Sequence, residues 1–139
     1  LGAEMKVPGP EKDLLNQVRQ ALKGVSAPVF FDGHKHKAVY PQVIIDFSND
    51  QERPDIIRTV EVIKPTISAD VYTNIEDVGT LLDISREVIG AVKSARCQYW
   101  ASDFDNYSGR ILDDESNDGA PLKRNALLFD FFVYSIRKG

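Results

Sequence analysis

The sequence predicts an α+β fold: a mainly antiparallel, curved β-sheet of about five strands with two helices on one face, in the order α-β-β-β-α-β-β. Two segments carry apolar residues at helical spacing, one ahead of a block of strand-like runs and one behind it. Strands and helices therefore do not alternate as βαβ repeats, the pattern that builds parallel sheets. The closing run ALLFDFFVYSI is apolar on both parities, which is the signature of a strand covered on both faces.

The opening helix is PEKDLLNQVRQALKG, Pro10 to Gly24. Pro10 suits the first helical position, Glu11 and Asp13 favour the positive end of the dipole, and Gly24 offers a C-terminal cap. Leu14, Leu15, Val18, Ala21 and Leu22 share one face. PVFFD, Pro28 to Asp32, is a short strand, and the basic linker GHKHK follows it. VYPQVIIDF, Val39 to Phe47, is rich in β-formers, with Pro41 near its start, where an edge strand tolerates it best. SNDQERPD is a turn or mobile loop by composition.

RTVEVIKPTISADVYT, Arg58 to Thr73, is a half-buried strand: Ile63, Ile67, Ala69 and Val71 share one parity, and Lys64, Thr66, Ser68 and Asp70 the other. Val60 and Val62 break that parity, which predicts a bulge near Ile63 to Pro65. Asn74 caps a second helix, Ile75 to Ser94, with Val78, Leu81, Leu82, Ser85, Val88, Ile89 and Val92 as its apolar face. RCQYWASDF and NALLFDFFVYSIR are the last strands. Between them lies DNYSGRILDDESNDGAPLKR, Asp105 to Arg124, polar and acidic in the middle. It reads as a loop of 20 residues, a length uncommon unless the segment is functional or disordered.

A chain of 139 residues fits one domain, residues 10–139, behind a flexible stretch 1–9. Met5 is a candidate initiator, which leaves Leu1 to Glu4 as an expression scar or as native sequence, and LGAEMKV does not read as a signal peptide. With 17 Lys+Arg against 21 Asp+Glu the net charge is −4, which argues against a module that grips nucleic acid through a basic stripe. One cysteine, Cys97, makes an internal disulfide impossible, so a reducing compartment suffices. No apolar run approaches the ~20 residues of a membrane span.

Two helices can cover one face of such a sheet but hardly both. The second apolar face of the last strand needs other cover, either a folded-back part of the sheet or another subunit. Leu127, Phe129, Phe131 and Val133 are the residues expected at a subunit interface.

Candidate chemistry is sparse. Asp32, His34 and His36 alternate in DGHKH and on an extended chain would point one way, as metal ligands do, but no fourth ligand is visible and Gly33 invites a turn. A solvated basic loop is the better reading. DESNDG places Asp114, Ser116, Asp118 and Gly119 like part of a calcium loop, yet Asn125 stands where a bidentate Glu should close it. Cys97 has no helix start or histidine nearby and reads as a structural thiol. Tyr99, Trp100, Phe104 and Tyr107 are able to stack on bases, but without a basic groove they read as packing. No G-x-S-x-G, phosphate loop or H-E-x-x-H occurs, so the chain does not read as an enzyme and no cofactor is expected.

Laid end to end, the elements resemble the tail-completion (tail-terminator) proteins of long-tailed bacteriophages. The likeness is carried by the helix EKDLLNQVRQALKG, the Tyr-Pro strand start VYPQVIIDF, a strand ending in DVYTN that leads into LLDISREVIGAVKS, and the closing LFDFFVYSI. It covers Glu11 to Ile136 and rests on segment order, not on an invariant signature. It implies a ring subunit, sixfold, at the head-proximal end of the tail tube. That ring stops tube growth and joins the tail to the head connector, the genome passing through its lumen. The expected location is the virion tail, with host cytoplasm during assembly, and the family has no catalytic residues to carry over. This chain departs from the family in GHKHK and in the Asp105–Arg124 segment. There Tyr107, Arg110, Ile111, Leu112, Asp113, Asp114, Glu115 and Asp118 are expected to form a mobile loop that orders on a neighbouring ring or faces the lumen. A head-completion or connector protein, or a non-viral oligomeric ligand-binding module, are the competing readings.

Overall fold

The structure is a computed structural model that describes residues 6–36, 39–49, 61–115 and 120–138. Helix α1 spans Pro10–Ala21 and tightens into a 3-10 turn, Leu22–Gly24. Strands β1 (Val29–Phe30), β2 (Gln42–Asn49), β3 (Val62–Ile63) and β4 (Thr66–Asn74) follow, then helix α2 (Val78–Ser94), β5 (Trp100–Asp114) and β6 (Leu122–Arg137). The α+β class, the two helices and the predominantly antiparallel sheet are those the sequence predicts. The sheet is mixed, because β1 lies parallel to β2.

The strand order is β1-β2-β4-β6-β5, with β3 pairing β6 beyond the end of β4. The count is six strands because the run expected as one strand splits at Lys64–Pro65, where the bulge was predicted. Proline cannot donate to a ladder. Pro65 instead offers its carbonyl to the Phe131 N–H at 3.0 Å, so β6 pairs with β3 and β4 on the same flank. Strand β2 continues through Ser48 and Asn49, two residues expected in a turn. Residues 50–60, which take in most of that turn and the start of the strand after it, residues 1–5, and Lys37 of the basic linker lie outside the described residues.

Both helices pack on one face. Leu14, Val18 and Leu22 from the first helical segment and Leu81, Ile84, Val88, Ile89 and Val92 from α2 meet Val43, Ile45, Ile67, Ala69 and Val71 of the sheet. α2 begins at Val78, not Ile75, because Asn74 still pairs with Leu122 in the sheet and its carbonyl accepts the Asp77 N–H at 3.0 Å. Its buried stripe is rotated from the expected one: Ile84 turns inward, while Leu82 and Val78 are 50% and 37% exposed. Ser85 accepts a 2.9 Å hydrogen bond from the Asn125 side-chain amide, which pins α2 over β6. No described helix is long and apolar enough to cross a membrane.

Asp13 is 1% exposed and its carboxylate is the hydrogen-bond anchor for the start of β5. Oδ1 accepts the Gln98 N–H at 3.0 Å, and Oδ2 accepts those of Tyr99 and Trp100 at 2.9 and 3.3 Å. The Trp100 indole N–H reaches back to the Pro8 carbonyl at 2.8 Å, so the chain ahead of α1 is tied to the same point. Charge-assisted bonds of this kind are the strong ones, and orphaning three part-buried N–H groups is costly. Asp13→Ala is therefore expected to lose about 3 kcal/mol or more in urea melts. A loss under about 1 kcal/mol would show that water replaces the carboxylate freely.

Cys97 is fully buried beside this anchor. Burial pushes its thiol up to about 11, with the Asp13 charge adding to the shift against the Ser102 hydrogen bond and Lys138. The folded chain thus holds this proton more tightly than the unfolded one, so the contribution is complete below pH 9 and lost as pH rises toward 11. Wild type should lose more stability between those pH values than Cys97→Ala does; parallel pH profiles would refute the assignment.

Candidate assembly surface

Residues in register across antiparallel strands share a face, so the pairings define what lies opposite the helices. One row is Asp46, Ser68, Leu128 and Ser108; the next is Ile44, Asp70, Ala126 and Arg110; a third holds Tyr72, Arg124 and Leu112. Along β6 this is the even-numbered set, and it ends in Phe132, Tyr134 and Ile136.

One end of this face is covered by the chain itself. Phe30 and Tyr40, flanking the basic linker, pack on Ile44, Tyr72 and Leu122. The buried Gln42 side chain holds the linker down: it accepts the His36 N–H at 2.8 Å and donates to the carbonyls of His36, at 2.7 Å, and Val39. The His36 ring stacks on Phe30, with centroids 3.7 Å apart. Lys35 pairs with Asp114 at 3.3 Å and Arg124 with Asp70 at 3.0 Å, and both cations flank the Tyr72 ring. Burial, helped by Asp70, Asp114 and Tyr40 against the opposing Arg124, pushes the Tyr72 hydroxyl up to about 12. The linker is thus a folded lid on the sheet.

Asp32, His34 and His36 do come together in that lid. His36 Nε2 lies 2.7 Å and His34 Nε2 3.7 Å from Asp32 Oδ2. Desolvation raises the Asp32 carboxyl, but the His36 and His34 hydrogen bonds and the charges of both rings outweigh it and hold it below its ordinary value. The carboxylate is engaged as a hydrogen-bond acceptor. Among the described residues no group of three or more His, Cys, Asp or Glu is arranged to hold a metal.

The rest of the face has no cover among the described residues. A trough of mixed character there is lined by Ser68, Asp70, Arg110 and Arg124 together with Ala126 and Leu128. Leu128 and Ile136 are 44% and 49% exposed. Phe132 and Tyr134 are half-buried between them, with Lys64 5.8 Å from the Phe132 ring and Tyr134 Oη donating to Asp103. Lys64 also bridges Asp105 at 3.3 Å and Asp130 at 4.0 Å.

Two expectations need correction. Leu127, Phe129, Phe131 and Val133 are not on an open surface: they are 0–1% exposed and packed beneath the helices in the protomer's own core. The uncovered apolar side chains of β6 belong to the opposite parity. The signal was present in Asp130, a carboxylate that a helix-covered face would not accommodate unpaired.

The segment Asp105–Arg124 is not a long loop. Asp105 to Asp114 belong to β5 and Leu122 to Arg124 to β6, so the two strands form one long hairpin. Tyr107, Arg110, Ile111, Leu112, Asp113 and Asp114 are strand residues, Glu115 follows the strand, and Asp118 lies outside the described residues. Tyr107 stacks on Phe129 with centroids 5.9 Å apart and Ile111 pairs with Asn125, which puts both on the helix face. Arg110, Leu112 and Asp114 point to the open face. Among the described residues no other strand pairs with the outer edge of β5.

No protein-family model matches this sequence, and no curated protein does. A virion chain shares the fold. It belongs to a structure of the virion of a native gene transfer agent particle, aligns with a TM-score of 0.62, and is 16% identical. The alignment covers 93% of this chain and 100% of that chain. At that identity the likeness is one of fold alone.

Side-chain truncation separates the two flanks of β6. Phe129→Ala should cost about 3–5 kcal/mol, as core aromatics do, while Leu128→Ser should stay within about 0.5 kcal/mol. Equal losses would mean that both flanks are sealed in the isolated protomer.

Proposed function

We propose that this chain is a structural virion protein that forms a ring at the head-proximal end of a phage tail tube, ends tube growth and joins the tail to the head connector. The observation that carries this reading is the half-covered sheet. Two helices close one face, while among the described residues most of the other face and the β5 edge stay open, in a fold that a virion chain also has. An apolar flank left uncovered in a protomer is the usual mark of an assembly surface. The family resemblance of the segment order adds the tail-end position and the sixfold ring. The partners are then other copies of the chain, the tail tube protein and the connector.

DNA passes through such a ring without specific binding. The net charge of −4 supports that role, because adhesion to DNA draws on a surplus of cations that displace counterions. The protein acts in the virion after assembly in the host cytoplasm, and its task is mechanical, with no reaction to catalyse. Particles made without it should carry overlong tubes and unjoined heads, and added protein should restore joining. Tails of normal length on joined heads would overturn the reading. Normal free tails beside heads that leak DNA would move the protein to the head-completion level.

A further inference from the structure

We infer that two edges of the sheet left free among the described residues meet between neighbouring copies, the outer edge of β5 in one protomer lying along β1 of the next. This rests on the ring reading above and adds which surfaces close the ring.

Strand β5 is a long edge with little to protect it. From Asn106 to Asp114 it pairs with β6 in unbroken register, so its alternate N–H and C=O groups point outward over that length. Natural edges are usually blunted by lysine, proline or a covering segment. β5 contains neither lysine nor proline, and its residues Asp105 to Ile111 are exposed. Its bulge lies to one side, between Phe104 and Asn106.

The other free edge, β1, lies at the opposite end of the same sheet. Two different edges at opposite ends are what a head-to-tail contact needs, and only head-to-tail contacts close into rings of more than two copies. Carrying the sheet across such a contact keeps the helices of both protomers on one side. The helix-face side chains of β5 then meet the helix face beside β1.

Those surfaces match. On the β5 side Tyr107 and Ile111 are 37% and 44% exposed, and Asp113, next on the same face, keeps 53% of its side chain exposed although Lys123 lies 2.7 Å away. Beside β1 is a groove of about 230 Å³ floored by Leu22, Val25, Val29 and Phe31 and flanked by Arg19 and Lys23. Arg19 lies 4.5 Å from the centroid of the Phe31 ring, and neither it nor Lys23 has a carboxylate partner among the described residues. An apolar pair followed by a carboxylate thus faces an apolar groove flanked by two cations. β1 offers only two residues of ladder, so the side-chain seat carries more of the contact than the backbone does.

A second copy of β5 is a poorer occupant. Residues 100–114 hold four Asp against one Arg, so pairing the strand with itself sets like charges across from each other.

The test is a short bismaleimide cross-linker applied to Lys23→Cys and Tyr107→Cys proteins, with Cys97 left in place because it is fully buried. The inference predicts covalent dimers when the two variants are mixed and none from either alone. The double variant should give a ladder that ends at the ring number. Electron microscopy of the same samples separates the two ways to fail. Rings without cross-links would overturn the edge assignment and leave the ring reading standing, whereas absence of both would overturn the two together. Cross-linking of Tyr107→Cys with itself would show a twofold β5 contact and also overturn the inference.

Discussion

Strand β6 is the member on which the rest of this fold depends. It pairs with β3 and β4 along one flank and with β5 along the other, so every antiparallel ladder except β2–β4 runs through it. A strand in that position must satisfy two faces at once. Its odd-numbered residues, Leu127 to Val133, are sealed under α1 and α2, and each large side chain buried there is worth roughly 1.5–3 kcal/mol. Among the described residues, the apolar cover on its even-numbered side lies near the hairpin, where Phe30 and Tyr40 close over Tyr72 and Leu122. Leu128 and Ile136 therefore stay in water until something else arrives. One face of the protomer is complete, and the other leaves apolar side chains uncovered among the described residues, which is what the assembly proposal rests on.

The long hairpin turns that asymmetry into geometry. β5 makes its strand contacts with β6 alone and is fixed at its base by the Asp13 carboxylate and by Lys138, whose backbone N–H and ammonium reach the carbonyls of Tyr99 and Cys97. At its far end Lys35 ties Asp114 to the linker lid. Held at both ends, the strand presents an edge that no other described strand pairs with, and it has little freedom left to lose on docking. On the ring reading proposed above, preorganisation of this kind lets a modest contact suffice when many copies act together.

The fold class, both helices and the break at Lys64–Pro65 were legible because each rests on local pattern: helical spacing, alternation, and a proline where the ladder must part. The second cover of β6 was legible as a need, and the structure meets it partly with the folded linker and leaves the rest open. Which parity faced the helices was not legible, since both are apolar and only Asp130 and Tyr134 mark the open side. The start of β5 was legible in RCQYWASDF, but its continuation past Phe104 was missed because an exposed edge carries polar residues on both parities, so DNYSGRILDD has no alternation to read; its register is imposed by β6. Asp13 looked like an ordinary dipole residue, and its burial depends on partners at Gln98 to Trp100 that no local window contains.

Hydroxyl-radical footprinting of the free protein against the assembled particle tests the central claim most directly, because it reads side-chain cover without altering the chain. Leu128 and Ile136 should be labelled in the free protein and protected after assembly, with Phe129 and Phe131 unlabelled in both. Equal labelling of Leu128 and Ile136 in the two states would mean that the open flank of β6 meets nothing in the particle, and that the sheet is not the surface through which the protein assembles.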